Sequence, residues 1–580
     1  MTRIAVWAPS ASRVELLTST SRYPMAAQEQ GWWSVEDEAL VPGTDYSFRL
    51  DGEGPFPDPR SEWQPHGVNG PSRLLDHADF HWTDGSWQPP LLTDAVVYEL
   101  HVGTFSPEGT FDGVVSKLDQ LVELGVTHLE LMPVHEFPGE RGWGYDSVDL
   151  YAPHHSYGGP DGLKRLVDAC HRRGLAVLLD VVYNHFGPYG NHLPRFGPYS
   201  TEQYQTPWGG AVNLDGPGSD QVRRFICNNT LNWLRNYHFD GIRLDAVHAL
   251  VDLSARHLLE QLADEVSQLA TELGRPLLLI AESNQNDPSI VRSSALGGYG
   301  LDALWNDDFH HALHVTLTGE QTDYYRDFGG IVDLVRALQR GLVYEGRYAP
   351  SRDHSYGRPS DGLTTDKFVV YSQNHDQVGN RALGERTAEL LTPAGLLIGA
   401  ALVLMSPFVP MLFQGQEWGA DSPFLYFTDH RDPELARSIN AGRRREFPEL
   451  AGSAENLPDP QALATFERSR LNWEERDQPA HARLLDWHRR LIRLRRSSPE
   501  LAAGDWGSVT SDPAAGWLEL TRGRFHIVVN LGQEPRSIPI SGGTGGRLEA
   551  RLCSDSSIQV GPDSAQLPPG SVVILERVAD

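Results

Sequence analysis

The sequence is short of cysteine. Its 580 residues hold three, Cys170, Cys227 and Cys553, far apart and none in a CxxC pair. That spacing argues against a disulfide framework and against a zinc site, and a reducing, cytoplasmic setting is expected. Positive charge is also scarce. Lys and Arg number 49 against 77 Asp and Glu, a net charge of −28. Nucleic acid and anionic membranes both need basic patches, so neither is expected as a partner. A neutral or a cationic ligand stays open. Long apolar runs are missing. The longest, near Leu396 to Met405, contains Gly399 and is too short to cross a bilayer. The stretch Met1 to Leu17 lacks the apolar core of a signal peptide. Internal repeats and low-complexity tails are absent as well.

What is present changes character along the chain. Residues 1–92 read as short strands and turns, with RIAVWAP, RVELLT, GWWSVED and DYSFRLDG as examples, which predicts an N-terminal β-sandwich. Such a module either packs against its neighbour or binds glycan, and its adjacent tryptophans, Trp32 and Trp33, do not choose. From residue 93 to 501, apolar strands alternate with amphipathic helices, the pattern of a parallel sheet. Eight strand candidates begin near Ala95, Val126, Ala176, Phe239, Pro276, Ala303, Lys367 and Phe408. Helical segments such as Val114 to Glu123, Gly162 to Arg173 and Asp220 to Asn236 separate them. Eight such units predict a (β/α)8 barrel with long loops, the longest being Phe186 to Leu214 and Tyr344 to Asp366. The competitor, a doubly wound sheet, lacks its Gly-rich phosphate fingerprint after the first strand. A final helix, Ala480 to Arg496, closes this region, and residues 502–580 return to short strands, a second all-β module. Aromatics make 9% of the chain, many beside Gly, Pro, Asp or His. Such settings suit stacking on sugars, while the core claims most of them.

In a barrel the active site lies at the C-terminal ends of the strands. Polar, titratable residues gather there. The third strand ends in Asp180, Asn184 and His185, the fourth in Arg243, Asp245 and His248, the fifth in Glu282, and the seventh in Asn374, His375 and Asp376. Alternation puts Arg243 and Asp245 on one face, where an arginine stabilises and orients an ionised carboxylate. Taken alone, such a pair is more often structural. Glu282 follows a nearly uncharged run, Pro276 to Ala281, and an apolar setting raises a carboxyl pKa until it donates protons near neutrality. Asp376, beside His375, can bind and orient a hydroxyl. Retaining glycoside hydrolysis needs such a set: a nucleophile and an acid/base roughly 5 to 5.5 Å apart across the glycosidic bond.

DVVYNH (Asp180 to His185), GIRLDAVH (Gly241 to His248), Glu282 and NHD (Asn374 to Asp376) resemble, in order, the four signature segments of the α-amylase family, glycoside hydrolase family 13. The resemblance covers about residues 95 to 500. It implies α-retaining chemistry, with Asp245 as nucleophile, Glu282 as acid/base and Asp376 as transition-state stabiliser. It further implies that His185, Arg243 and His375 surround the sugar at the cleaved bond, that Tyr145 stacks on it, and that Asp180 and Asn184 support the site. Many members hold calcium near the position matched by Asn184. The third loop here offers only Glu202 and Asp215 besides, and calcium wants several oxygen ligands, so no metal and no cofactor are expected.

Within the family an N-terminal sandwich precedes the barrel in several groups. Leu150 to Leu193, Gln205 to Ser219 and Trp305 to Glu320 are most similar to the group that hydrolyses maltooligosyltrehalose, an α-glucan, at the α-1,4 bond next to its terminal trehalose, with free trehalose as product. Trp208, Asn286, Asp287 and Asp308 are in segments that could form the trehalose pocket or merely pack and cap loops. Branching and debranching enzymes of the same family remain alternatives, as does a glycan-binding protein without catalysis.

Overall fold

The computed structural model describes residues 2–447, 457–542 and 546–579. Its centre is a closed barrel of eight parallel strands. These are β1 (Val97–Leu100), β2 (His128–Leu131), β3 (Ala176–Val181), β4 (Gly241–Leu244), β5 (Leu278–Ala281), β6 (Ala303–Trp305), β7 (Phe368–Val370) and β8 (Val409–Phe413). Each falls inside one of the eight apolar runs. Strand β8 pairs back onto β1, with Met411 opposite Val97, and the ring is closed. Seven of the strands are buried throughout, and β5 is open only at Leu278. That explains their continuous rather than alternating hydrophobicity, since helices cover one side and side chains fill the other.

The strands are shorter than the runs, and this moves part of the site. Strand β7 stops at Val370, so Asn374, His375 and Asp376 are not on it as expected. Asn374 instead caps a short helix, His375–Gly379, accepting from the Gln377 N–H at 2.8 Å. The run from Val114 to Glu123 likewise splits into Phe111–Val115 and Leu118–Leu124. The helices Gly159–His171, Ser219–Asn236 and Pro479–Ser497 match their expected segments within a few residues.

Two loops above the barrel carry structure of their own. The connection after β2 forms a small hairpin, His135–Glu136 with Asp149–Pro153, and holds Trp143 and Tyr145 between its arms. The connection after β3 contains a second hairpin, Ser200–Thr206 with Gly209–Val212, and Trp208 sits at its tip.

The N-terminal strands form two sheets, of three and five strands. Trp32 donates to Gln221 on the helix Ser219–Asn236 at 3.1 Å, and the Arg60 guanidinium lies over its ring. Trp33 donates to the Ala8 carbonyl. Both tryptophans therefore hold this module together and onto the barrel. The C-terminal region forms sheets of five and three strands. Arg522 ties it to the barrel by donating to the carbonyls of Ser406 and Leu501 at 2.8 Å each. No helix among the described residues is long and apolar enough to cross a membrane.

Candidate active site

The strand ends open into a cleft of about 940 Å³. Arg243 stands at its floor, fully buried, its guanidinium 4.1 Å from the centre of the Trp305 ring. A buried guanidinium must find anions, because each unpaired N–H in the interior costs free energy. Arg243 finds three. Nη1 donates to both oxygens of Asp180, at 2.8 and 2.7 Å, and to Asp245 Oδ1 at 2.9 Å. Nη2 lies 2.8 Å from Glu282 Oε2. The sequence reading gave this arginine to Asp245 alone. The structure shows it shared across β3, β4 and β5, because neighbouring parallel strands place residues in register on one face.

Asp245 follows directly on β4. Its other oxygen, Oδ2, accepts from Asn184 Nδ2 at 2.6 Å, so each oxygen has one donor and the carboxylate cannot rotate freely. Gly241 begins the strand because a Cβ there would stand 2.7 Å from the Leu278 carbonyl oxygen. Ala246, next after Asp245, takes φ +40°, a left-handed conformation that L-residues other than Asn, Asp and Gly rarely adopt. Its N–H thereby donates to Glu282 Oε2 at 2.9 Å. Strain of this kind costs on the order of 1 kcal/mol and persists where surrounding contacts impose it. Burial raises the Glu282 carboxyl pKa; Arg243 opposes this, the Asp245 charge adds to it, and the net direction is up. Glu282, its pKa raised, thus stands beside the arginine-bound carboxylate of Asp245.

The remaining expected residues gather around these two. His375 lies beneath Tyr145, the rings 5.1 Å apart and 24° from parallel. The Tyr145 hydroxyl donates to Asp180 Oδ2 at 2.5 Å. His185 bonds the Tyr145 carbonyl through Nε2 at 2.9 Å. Trp208, 48% exposed, stacks on His185 at 4.8 Å and 6°. Asp376 faces the cleft, with Asn380 Nδ2 donating to it at 3.2 Å.

The four residues assigned to the trehalose side divide. Trp208, Asn286 and Asp308 line the cleft, whereas Asp287 is not part of the lining. Asp287 caps the turn Pro288–Ile290 by accepting from Ser289 N at 3.0 Å, the capping alternative. Asp308 accepts from Asn286 Nδ2, Val343 N and Tyr344 N at 2.7 to 2.8 Å. Burial pushes its pKa up to about 6 against those bonds. It anchors the loop after the helix Ile331–Arg340 and shapes the cleft through that loop.

Other lining residues were not singled out from the sequence. Asp323, Tyr324, Asp327 and Phe328 come from the turn after the helix Asp307–Thr318, and Ser351, Arg352 and Tyr356 from the loop before β7. Asp327 accepts from Ser351 N at 3.0 Å and laces the two segments together. Tyr344, behind the lining, stacks on Tyr356 at 4.8 Å, with the guanidinium groups of Arg347 over the first ring and Arg352 over the second. For Ser351, Arg352 and Tyr356 the signal in the sequence was the length of the loop Tyr344 to Asp366; Asp323 to Phe328 gave none.

Among the described residues, those that could hold a metal are few. Glu136, His154 and His155 have the spacing, but His155 already donates to both Glu136 oxygens through its N–H and Nδ1. Asn184 spends its amide on Asp245. Asp215 accepts from Tyr204 and Leu253, and Glu202 from Gln205.

Comparisons with known proteins agree with this geometry. Residues 75–204 match the family model of the α-amylase catalytic domain. Residues 1–65 match carbohydrate-binding module 48, the isoamylase N-terminal domain. A malto-oligosyltrehalose trehalohydrolase from Arthrobacter ramosus is 50% identical, over 93% of this chain and 95% of its own. One from Mycobacterium tuberculosis is 45% identical over 99% of each. A crystal structure of a putative α-amylase from Salmonella typhimurium superposes with a TM-score of 0.90 at 38% identity, covering 99% of this chain and 97% of its own.

Proposed function

The chain belongs to the malto-oligosyltrehalose trehalohydrolases of the α-amylase family, and from that premise we infer how its cleft works. The enzyme hydrolyses the α-1,4 bond between a maltooligosaccharide and its terminal trehalose. Asp245 attacks the anomeric carbon of the maltooligosaccharide and forms a glycosyl ester. Glu282 gives its proton to the departing O4 of trehalose. Glu282, now a base, takes a proton from water, whose oxygen attacks the same carbon, breaks the ester and frees the maltooligosaccharide with its α configuration retained. Asp376 holds sugar hydroxyls as positive charge develops. The observation that carries this assignment is the one guanidinium shared by Asp245 and Glu282, with the Ala246 N–H turned onto Glu282.

Trehalose joins two glucoses through both anomeric carbons, so its pocket must accept a two-ring unit without a reducing end. We assign that side to the wall made by Asp323 to Phe328 and Ser351 to Tyr356, with Asn286 and Asp308 behind it. Trp208, flat on His185 and half exposed, is assigned as a sugar platform. Three free cysteines, two of them buried, suit a reducing compartment such as the cytoplasm.

Product analysis with maltopentaosyl-trehalose tests this reading. Free trehalose and maltopentaose are expected as first products. Glucose and maltose appearing first, or new α-1,6 linkages formed from amylose, would overturn it.

A further inference from the structure

Beneath the cleft lies a carboxylate that the chemistry above does not use. Glu99, on β1, is 1% exposed, and both its oxygens point at His375. Oε2 accepts from the His375 backbone N–H at 3.0 Å, and Oε1 bonds Nδ1 of the ring. On the opposite edge of the ring, Nε2 is 2.8 Å from the Tyr145 hydroxyl. That hydroxyl has one proton, and it is directed at Asp180 Oδ2. It can therefore only accept from Nε2. Both ring nitrogens face acceptors, so both carry protons. A carboxylate at one end and a committed hydroxyl at the other select the imidazolium form.

The other groups around the ring do not displace Glu99 from this role. Glu130, on β2, is 1% exposed, and neither of its oxygens has a hydrogen-bond partner among the described residues. Burial, with the Glu99 charge adding, holds its carboxyl well above the usual carboxylate range. Burial pushes His101 down to about 4. Asp376 Oδ1 lies 3.5 Å from Nε2 and favours the cation. Arg243 opposes it, but its guanidinium is taken by Asp180, Asp245 and Glu282. Burial alone would lower the His375 pKa. The Glu99 and Asp376 charges and the Glu99 bond outweigh it and push it up to about 9.

We propose that Glu99 is a positioning residue that keeps His375 doubly protonated, so that its Nε2–H fixes the Tyr145 hydroxyl and faces Asp376 beside the reacting sugar. The cation is held there before substrate arrives, which lowers reorganisation in the transition state. This rests on the hydrolytic reading above.

Glu99→Gln tests it. The amide can still accept from the His375 N–H, but its NH₂ presents a donor to Nδ1 and removes the negative charge. At pH 7, kcat is expected to fall roughly 10- to 100-fold, the range for losing a partner that orients a contacting group, with KM changed little. The kcat profile should acquire a new ionisation below about pH 6.5, activity returning as pH falls toward 5. Glu99→Asp, which keeps the charge, should show no such step. A Glu99→Gln enzyme with a wild-type pH profile, or with a fall of the same size at every pH, overturns the proposal. If that variant does not fold, imidazole ¹⁵N spectra of the wild type at pH 7.5, assigned against His375→Gln, give the same decision: a single protonated nitrogen on His375 overturns it. A wild type that releases no trehalose would instead sink the hydrolytic reading.

Discussion

The floor and the wall of the cleft are built in different ways. The floor comes from strands β3, β4 and β5. Asp180, Arg243, Asp245 and Glu282 lie on them or one residue beyond, and the ladder sets their mutual positions. The wall comes from two connecting segments, Asp323 to Phe328 and Ser351 to Tyr356. It is held by Asp327 to Ser351 and by stacked rings and guanidinium groups. Rigid strands suit a step in which small displacements are costly. Loops suit selection among substrates, because they vary without disturbing the barrel. The floor should therefore control whether a bond breaks, and the wall which bond.

The largest effect that would break this comparison lies in the floor. Asp245→Asn should keep sugar binding, since the amide fills the same volume, and lower kcat by about 10⁴-fold or more, as loss of a nucleophile does. Glu282→Gln should cost about 10²- to 10⁴-fold. Isothermal titration with substrate and a discontinuous trehalose assay separate binding from turnover. Normal hydrolysis by Asp245→Asn would remove the nucleophile assignment.

A smaller effect concerns stability. His375 has a folded pKa of about 9, above its ordinary 6.5. A raised basic group stabilises the fold fully below the unfolded pKa, and the contribution is lost as pH rises through the folded one. Thermal unfolding should thus show a stabilisation of about 3 kcal/mol disappearing between pH 6.5 and 9. His375→Gln should flatten that slope. A wild-type Tm constant across the window would count against the buried cation.

The smallest effects belong to the wall. Arg352→Ala should raise KM for maltooligosyltrehalose about 10-fold, the size of one lost hydrogen bond or stacking contact, and leave kcat within about two-fold. Its discrimination between that substrate and a plain maltooligosaccharide of equal length should narrow. A fall in kcat with KM unchanged would move Arg352 from the wall to the floor.

The readability of each region follows its construction. All eight barrel strands were visible as apolar runs, because a parallel strand is buried on both faces and its composition shows it. The residues after β3, β4 and β5 stood out because charge at the end of such a run is conspicuous. The position of Asn374 to Asp376 on a helix start was not visible, since the polar stretch Ser372 to Asp376 does not mark where the strand stops. The sharing of Arg243 with Glu282 was hidden too, because strand-to-strand register is not written in either strand alone. Asp287 was grouped with the pocket by its segment, and its capping bond to Ser289 shows why spacing could not place it.

By itself the sequence determined the barrel, the two flanking β modules and the order of the four motif segments. The barrel and the modules follow from local composition and periodicity, which short stretches carry whole, and the motif order from resemblance to a family. Only the tertiary structure decided the pairing of Glu99 with His375, 276 residues away, the sharing of one arginine among three carboxyl groups, and the loop wall opposite them. The first depends on closing the sheet into a ring, which brings its first strand and the segment after its seventh into contact; the second depends on the register of neighbouring strands and the third on loop packing, and none leaves a trace in one stretch alone.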